Sequence, residues 1–276
     1  MQEIKGGRLD ALVSLPTIKI NEITLGDSLG LAGCVPAKAD LILEDMPYNI
    51  TAIGWDKKID LEKYWQTRLA MLKSTGLLVL FSSQPFTTFL ISSNLALFKY
   101  ELIWRKTMPT GMALAKKRPM KYHENILIFY KNQPTYNKIM AERSEIGKAR
   151  LKGGGKILNG KKSEGKHVSK AKLAGTYSEY DIDLVNPKSV LDFGSVPNCN
   201  GTKLHPTQKP VGLFEYLIRT YTNEGDLIFD GFGGSGTTAI AAHKSNRNFI
   251  VIEKERKYYE LAKKRLDTER AQLKMF

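Results

Sequence analysis

Two short stretches carry residue types that could do chemistry together. The first is Asp45-Met46-Pro47-Tyr48, directly after the apolar run LILE at 41–44. A carboxylate and a neighbouring backbone carbonyl are two acceptors that can take both N–H bonds of a planar amino group. Held that way, the nitrogen is pulled toward tetrahedral geometry and its lone pair is localised. The same acceptors stabilise positive charge that develops on it. Pro47 fixes its own φ and biases Met46 toward an extended backbone, which would aim the Met46 carbonyl. Tyr48 offers a flat face on which an unstacked ring can rest. The same four residues also suit a plain Asp-x-Pro turn with a half-buried tyrosine, and alone they do not separate the two readings.

The second stretch is DLIFDGFGGSGTT at 226–238, in which Asp230 ends an apolar run and Gly233, Gly234 and Gly236 precede a helical pattern. Glycines let backbone approach a ligand closely, and a helix N-terminus offers unpaired N–H groups. Twenty-three residues after Asp230, Glu253 ends the run NFIVIE (248–253). An acid at that position can accept hydrogen bonds from ribose hydroxyls. The spacing FGGSGT does not match the G-x-G-x-x-G of a nicotinamide dinucleotide site, and no second mononucleotide half is evident. A single adenosine with a small charged tail fits better, and a ligand-free strand-to-helix turn is the plain alternative.

These stretches need a frame. The runs at 23–25, 41–44, 77–81, 226–230 and 248–253 are short, apolar and bounded by turn residues, so they read as buried strands. YELIW (100–104) and NILIFY (125–130) read as strands that pair as an antiparallel edge. Between them the pattern predicts helices: LEKYWQTRLAML with Leu61, Trp65, Leu69 and Leu72 on one face, capped by Asp60 and ended by Gly76; LFEYLIRTYT with Pro210 in its first turn; TTAIAAHKS; and KYYELAKKRL. Strands alternating with helices at this spacing predict an α/β fold with a mostly parallel sheet covered on both faces.

The chain has 276 residues, enough for one large α/β domain with an insertion, and carries a net charge of +14. That surplus favours a polyanionic partner, because Lys and Arg neutralise phosphates and release their counterions. Much of it lies in 138–172, where eleven Lys or Arg face three Glu, for +8. Glycines such as Gly153, Gly154, Gly155, Gly160 and Gly165, with few large apolar residues, make this segment read as a mobile basic loop. A second stretch, Arg105 to Lys121, holds six basic residues and no acid. The expected organisation is an N-terminal arm (1–22), a first half of the domain (23–133), a basic insertion (134–202) and a second half (203–276). No run reaches the length of a membrane span, and the first residues lack the apolar core of a signal peptide. Cys34, Cys199 and the scattered His123, His167, His205 and His243 suggest neither a disulfide nor a metal site. A cytoplasmic, metal-free protein is expected.

Taken together, these motifs resemble the β group of DNA amino methyltransferases, whose catalytic element D/S-P-P-Y precedes a cofactor element D-x-F-x-G-S-G-T. Here the first is DMPY (45–48) and the second DGFGGSGT (230–237). GDSL (26–29), YHENILIF (122–129) and HPTQKP (205–210) resemble further elements of the group, so that the likeness spans about 25–130 and 203–266. The resemblance implies a seven-stranded sheet of the S-adenosylmethionine-dependent methyltransferase type. It implies that Asp45, Met46, Pro47 and Tyr48 hold a flipped-out base. Asp230, Phe232, Gly234, Ser235, Gly236 and Thr237 would surround S-adenosylmethionine, with Glu253 on its ribose and Asp27 near its adenosine. Thr207 and Lys209 would reach its methionine end, where the Lys209 charge could meet the carboxylate. Two positions depart from the group: Met46 and Gly231 each stand where it usually has proline.

In the group an aspartate at the first position goes with adenine N6 and a serine with cytosine N4, so Asp45 implies adenine. The geometry of the two amines does not itself decide, since both offer two N–H donors. Neither is reachable inside a duplex, so the target must leave the stack. Double-stranded DNA is the expected partner, with 134–202 in the place of a target-recognition region; a homodimer and a restriction endonuclease partner are further expectations. Cytosine N4 transfer, transfer to RNA or a protein amide, a non-catalytic nucleic-acid-binding protein of the same fold, and a nicotinamide-dependent oxidoreductase are the alternatives.

Overall fold

The computed structural model describes residues 17–48, 59–152, 183–196 and 208–273. The chain forms two compact units, Lys138–Lys188 and the remainder, Met1–Asn137 with Ser189–Phe276. The larger unit is built on one sheet of eight strands. They are β1 (Glu22–Leu25), β2 (Ala39–Glu44), β3 (Leu72–Ser82), β4 (Phe98–Thr110), β5 (Lys121–Tyr130), β8 (Val190–Asp192), β9 (Leu227–Asp230) and β10 (Asn248–Glu253). Their order is β1-β10-β9-β2-β3-β5-β4-β8. All neighbours pair in parallel except β5, which runs against both β3 and β4. In the smaller unit β6 (Ala141–Glu142) and β7 (Leu184–Val185) pair antiparallel, and α3 spans Glu145–Lys152.

Strand faces alternate between two cores, as a pleated sheet covered on both sides requires. Leu41, Leu43, Leu77, Val79, Phe81, Ile228, Phe249 and Val251 face one cluster. It is completed by α4 (Val211–Tyr221), α5 (Thr237–Lys244) and α6 (Arg256–Leu273). Ile42, Leu78, Leu80, Phe129, Phe229, Ile250 and Ile252 face the other, with Tyr64, Trp65 and Met71 of α1 (Leu61–Met71) and Leu90 of α2 (Phe86–Ser93). Among the described residues no helix is long and apolar enough to cross a membrane.

Three details depart from the sequence reading. The sheet has eight strands rather than seven: Val190–Asp192 pairs with β4, so the β4–β5 pair is not the edge. A three-residue strand is too short to show periodicity. Helix α1 ends at Met71, and Gly76 lies inside β3 rather than at a helix end. The β2–β3 register slips between Ala39 and Leu41 at this level, and a Cβ on Gly76 would come within 3.0 Å of the Asp40 carbonyl. The buried stripe of α1 is Tyr64, Trp65, Arg68 and Met71, while Leu69 is exposed.

The reason is electrostatic. Glu44, the last residue of β2, is fully buried, and the Arg68 Nε lies 2.8 Å from its Oε1. Tyr64 donates to its Oε2 at 2.6 Å, and Arg68 Nη2 also donates to Ser28 Oγ at 2.8 Å. A buried carboxylate must be paired, so the helix turns its arginine inward and leaves a leucine to solvent. Asp60 caps α1 as the sequence predicts, accepting from the Lys63 N–H at 3.1 Å.

Arg68→Met should lower unfolding free energy in urea by about 3–5 kcal/mol, because it strands the Glu44 charge. Adding Glu44→Gln should recover part of that loss, since the amide oxygen still accepts. A single-variant loss under about 1 kcal/mol would show that the pair is not an anchor.

Candidate active site

The carboxyl ends of β2, β9 and β10 open on one cavity of about 370 Å³. Asp27, Asp45, Pro47, Lys209, Asp230, Phe232, Gly234, Ser235, Thr237 and Glu253 all line it. The sequence elements thus meet where open α/β sheets hold ligands. Four predicted residues stand elsewhere. Thr207 lies outside the described residues. Gly236 does not line the cavity; it is the N-cap of α5 at φ +78, a left-handed conformation that suits glycine, with Ala262 only 2.9 Å from where a Cβ would sit. The Met46 side chain is buried in the core cluster with Ile42 and Leu80. Tyr48 stacks on Phe86, with ring centroids 5.6 Å apart and planes at 25°.

The glycine turn after β9 is held by hydrogen bonds to acids. Gly231 N–H donates to Glu44 Oε1 at 2.9 Å, which ties the turn after β9 to the end of β2. A proline there would have no N–H to give, and a Cβ would meet Arg68 Nη2 at 2.2 Å, so the departure at Gly231 matches the Glu44–Arg68 pair beneath it. Asp230 accepts from the Phe232 N–H at 2.8 Å and from the Thr238 hydroxyl. Glu253 accepts from Gly234 N–H at 2.6 Å and Glu255 N–H at 2.7 Å. Burial pushes the Asp230 carboxyl up to about 8, more than the Thr238 bond pulls it down, and burial also raises Glu253.

The other end of the cavity is an ion-pair chain. Lys209 Nζ lies 2.5 Å from Asp45 Oδ2 and 3.2 Å from Glu124 Oε2, and Lys106 Nζ lies 2.9 Å from Glu124 Oε1. The Tyr48 hydroxyl donates to Asp45 Oδ1 at 2.6 Å. Burial pushes the Asp45 carboxyl up despite the adjacent ammonium. Burial alone would lower Lys209, but Asp45 and Glu124 outweigh it and raise its pKa. Burial likewise opposes ionisation of Glu124, yet Lys209 and Lys106 hold it down at about 2. Sequence reasoning missed Glu124 and Lys106, and it gave Lys209 a different partner. An acid inside the strand run at 122–129 was the one available signal for Glu124.

A family model described as DNA methylase, spanning N6 and N4 enzymes, matches residues 39–264. The chain belongs to the N6/N4 DNA methylase family. This DNA methylase is 26% identical to the Type II methyltransferase M.HpaI of Haemophilus parainfluenzae over 244 residues, 83% of this chain and 68% of that protein. It is 27% identical to the DNA adenine methyltransferase YhdJ of Escherichia coli (strain K12) over 259 residues, 88% of this chain and 81% of that protein. The crystal structure of M1.HpyAVI with SAM superposes with a TM-score of 0.62 at 24% identity, covering 89% of this chain and 98% of that one. Its fold is that of the S-adenosylmethionine-dependent DNA methyltransferases, and the family uses that cofactor.

The cavity suits such a ligand. Asp230 and Glu253 present oxygens for hydroxyls, Phe232 offers a ring, and Gly233 and Gly234 bring bare backbone to the cavity wall. At Gly233 a Cβ would meet Val251 Cγ1 at 2.5 Å.

Asp230 carries a pH prediction. The native carboxyl keeps its proton up to about 8, whereas the unfolded chain releases it near the ordinary aspartate value of 3.8. Its contribution to stability is therefore full at low pH and is lost as pH rises through about 8. The melting temperature of Asp230→Asn, relative to the parent without cofactor, should rise between about pH 5 and about pH 9. A difference independent of pH would refute the assignment.

Proposed function

We propose that this DNA methyltransferase modifies adenine N6 of a base flipped out of duplex DNA, with Asp45 at the reacting nitrogen. The observation that carries the proposal is the Asp45 carboxylate. It lines the same cavity as Asp230 and Glu253, fixed by Lys209 at 2.5 Å and by the Tyr48 hydroxyl at 2.6 Å. An aspartate at this position supports adenine, and so does the likeness to YhdJ, a DNA adenine methyltransferase.

When bound, S-adenosylmethionine supplies a methyl group on a positively charged sulfur, an electrophile that needs a nitrogen lone pair aimed at it. The chain's part is to make that lone pair available. Asp45 accepts one N–H of the amine, and the Met46 carbonyl accepts the other. Developing positive charge on nitrogen then lies against a carboxylate in a site shielded from water. Tyr48, backed by Phe86, gives the base an aromatic surface. Pro47 limits the backbone freedom of Met46. The Met46 side chain fills the core, so rigidity that the family draws from proline comes here from packing.

Asp230, Phe232, Gly234, Ser235, Thr237 and Glu253 hold the cofactor, together with Asp27. We assign Lys209 to Asp45 rather than to the cofactor's carboxylate. Lys209 keeps the acid ionised and oriented, and Glu124 with Lys106 fixes Lys209. The basic segment 134–202, of which 153–182 and 197–202 lie outside the described residues, supplies phosphate contacts that position the duplex.

The test is transfer of labelled methyl groups from S-adenosylmethionine to DNA, with digestion to nucleosides and mass spectrometry. N6-methyladenine is expected; N4-methylcytosine would reassign the base. Asp45→Ala and Tyr48→Ala should each abolish transfer while cofactor binding persists, and wild-type rates in both would remove the assignment.

The Glu124 charge also disfavours ionisation of Asp45. Because Asp45 is a much stronger acceptor, and stabilises positive charge, only as carboxylate, activity should fall as pH drops through its raised pKa. Glu124→Gln should move that acid limb of the kcat/KM profile to lower pH, and an upward move would reverse the assigned sign.

A further inference from the structure

Strands β4 and β5 outrun the sheet. The last pairing of β5 with β3 is Asn125 with Ser82, yet β4 and β5 pair on to Arg105 and His123 and, past a break in register, again at Thr110 and Lys121. Because β4 runs in the same direction as β2, this overhang rises from the edge where Asp45 sits. Its base is joined to Asp45 through Lys106, Glu124 and Lys209, and Lys121 donates to Ser83. Extra β4 residues lie between Arg105 and Thr110, so β5 sets the reach: the four steps from Asn125 to Lys121, at about 3.3 Å each, carry the tip up to about 13 Å beyond that level.

The tip is ordered and bare. Gly111, at φ +92, turns the chain into a short 3₁₀ turn, Met112–Leu114. Leu114 N–H donates to Gly111 O at 2.9 Å, and Lys117 and Arg118 N–H groups donate to Leu114 O at 2.8 and 3.0 Å. Residues 111–119 are all exposed. Among them Met112 is 73% exposed and Leu114 39%, with Met108 at 64% and Tyr122 at 46% on the strands below. Of the six basic residues between 105 and 121, Arg105 is paired with Asp192 and Lys106 with Glu124. Lys116, Lys117 and Arg118 follow directly on the apolar tip, on a hairpin with no acid. Isolated apolar residues on a surface need no explanation; several on one rigid, acid-free projection beside a cavity do.

We propose that the hairpin 105–121 docks on duplex DNA, with Lys116, Lys117 and Arg118 on phosphates and Met112 with Leu114 as an apolar wedge. The wedge sits against the base stack at the place the target base leaves. Apolar side chains that enter a base step unstack it, and extrusion of the target base needs that energy repaid. A base stack bordered by phosphates has the same pattern as the tip: an apolar centre with charge beside it. The inference rests on Asp45 as the site that receives the extruded base.

Two variants test it, with unmethylated plasmid duplex as the probe and S-adenosylmethionine binding as the control for folding. Lys116→Ala/Lys117→Ala/Arg118→Ala should weaken duplex binding and reduce the slope of log K against log salt by up to about 3. Met112→Ser/Leu114→Ser should leave that slope unchanged while kcat for methyl transfer falls roughly tenfold. Met112→Leu should keep the parent rate, because the wedge needs apolar bulk and not sulfur. An unchanged slope in the triple variant, or a parent kcat in the serine variant, overturns the proposal. If the parent itself methylates no DNA, the functional reading fails, and the salt slope still decides whether the hairpin holds DNA.

Discussion

One buried carboxylate holds the two halves of the site together. Glu44 ends β2, and the residues that follow it are the proposed catalytic element. Its Oε1 accepts from both Arg68 and Gly231, and its Oε2 accepts from Tyr64. The turn that begins at Gly231 is the proposed cofactor element. A single unpaired acid here would be prohibitive, so the fold surrounds it with a guanidinium, a phenol and an amide. Helix α1 takes its rotation from that demand. The cofactor turn takes its glycine from it as well, because the donor and the lack of a Cβ are both required. Neighbouring strands and proposed chemistry are thereby fixed at one point.

The second constraint is charge balance at the other wall. Asp45 and Glu124 together carry two negative charges, answered by Lys209 and Lys106. Without Lys209, burial would favour the neutral acid at Asp45, and a neutral acid is a poorer acceptor. Lys106 is buried against Glu124, and Arg105, although exposed, is paired with Asp192, so neither is a free cation of the β4–β5 overhang. Counting basic residues overstates what the hairpin offers a polyanion; the exposed cations at its tip are the relevant ones.

Much of the frame was legible. Runs such as LILE, DLIFD and NFIVIE are too short for buried helices and are bounded by turn residues, so they read as covered strands, and Asp60 caps α1 because its carboxylate answers a free N–H. Asp45, Asp230 and Glu253 were legible as acids at the ends of apolar strand runs. The partners of those acids were not. Lys209 meets Asp45 across 164 residues and Gly231 meets Glu44 across 187. No local pattern encodes such contacts. Leu69 shows the reverse failure: apolar spacing pointed inward, and a buried ion pair 24 residues apart overrode it. Val190–Asp192 was unreadable for a simpler reason, since three residues have no period.

The separations around Glu44 also set an order of events during synthesis. Tyr64 and Arg68 lie 20 and 24 residues downstream, whereas Gly231 lies 187 away. The chain grows at about 5–20 residues per second, so Glu44 waits many seconds for its amide partner. Its arginine arrives almost at once, and closing so short a loop costs little. The nascent first half can therefore shelter its most dangerous charge before the second half exists. The cofactor turn is the latecomer, docking on an acid that is already neutralised.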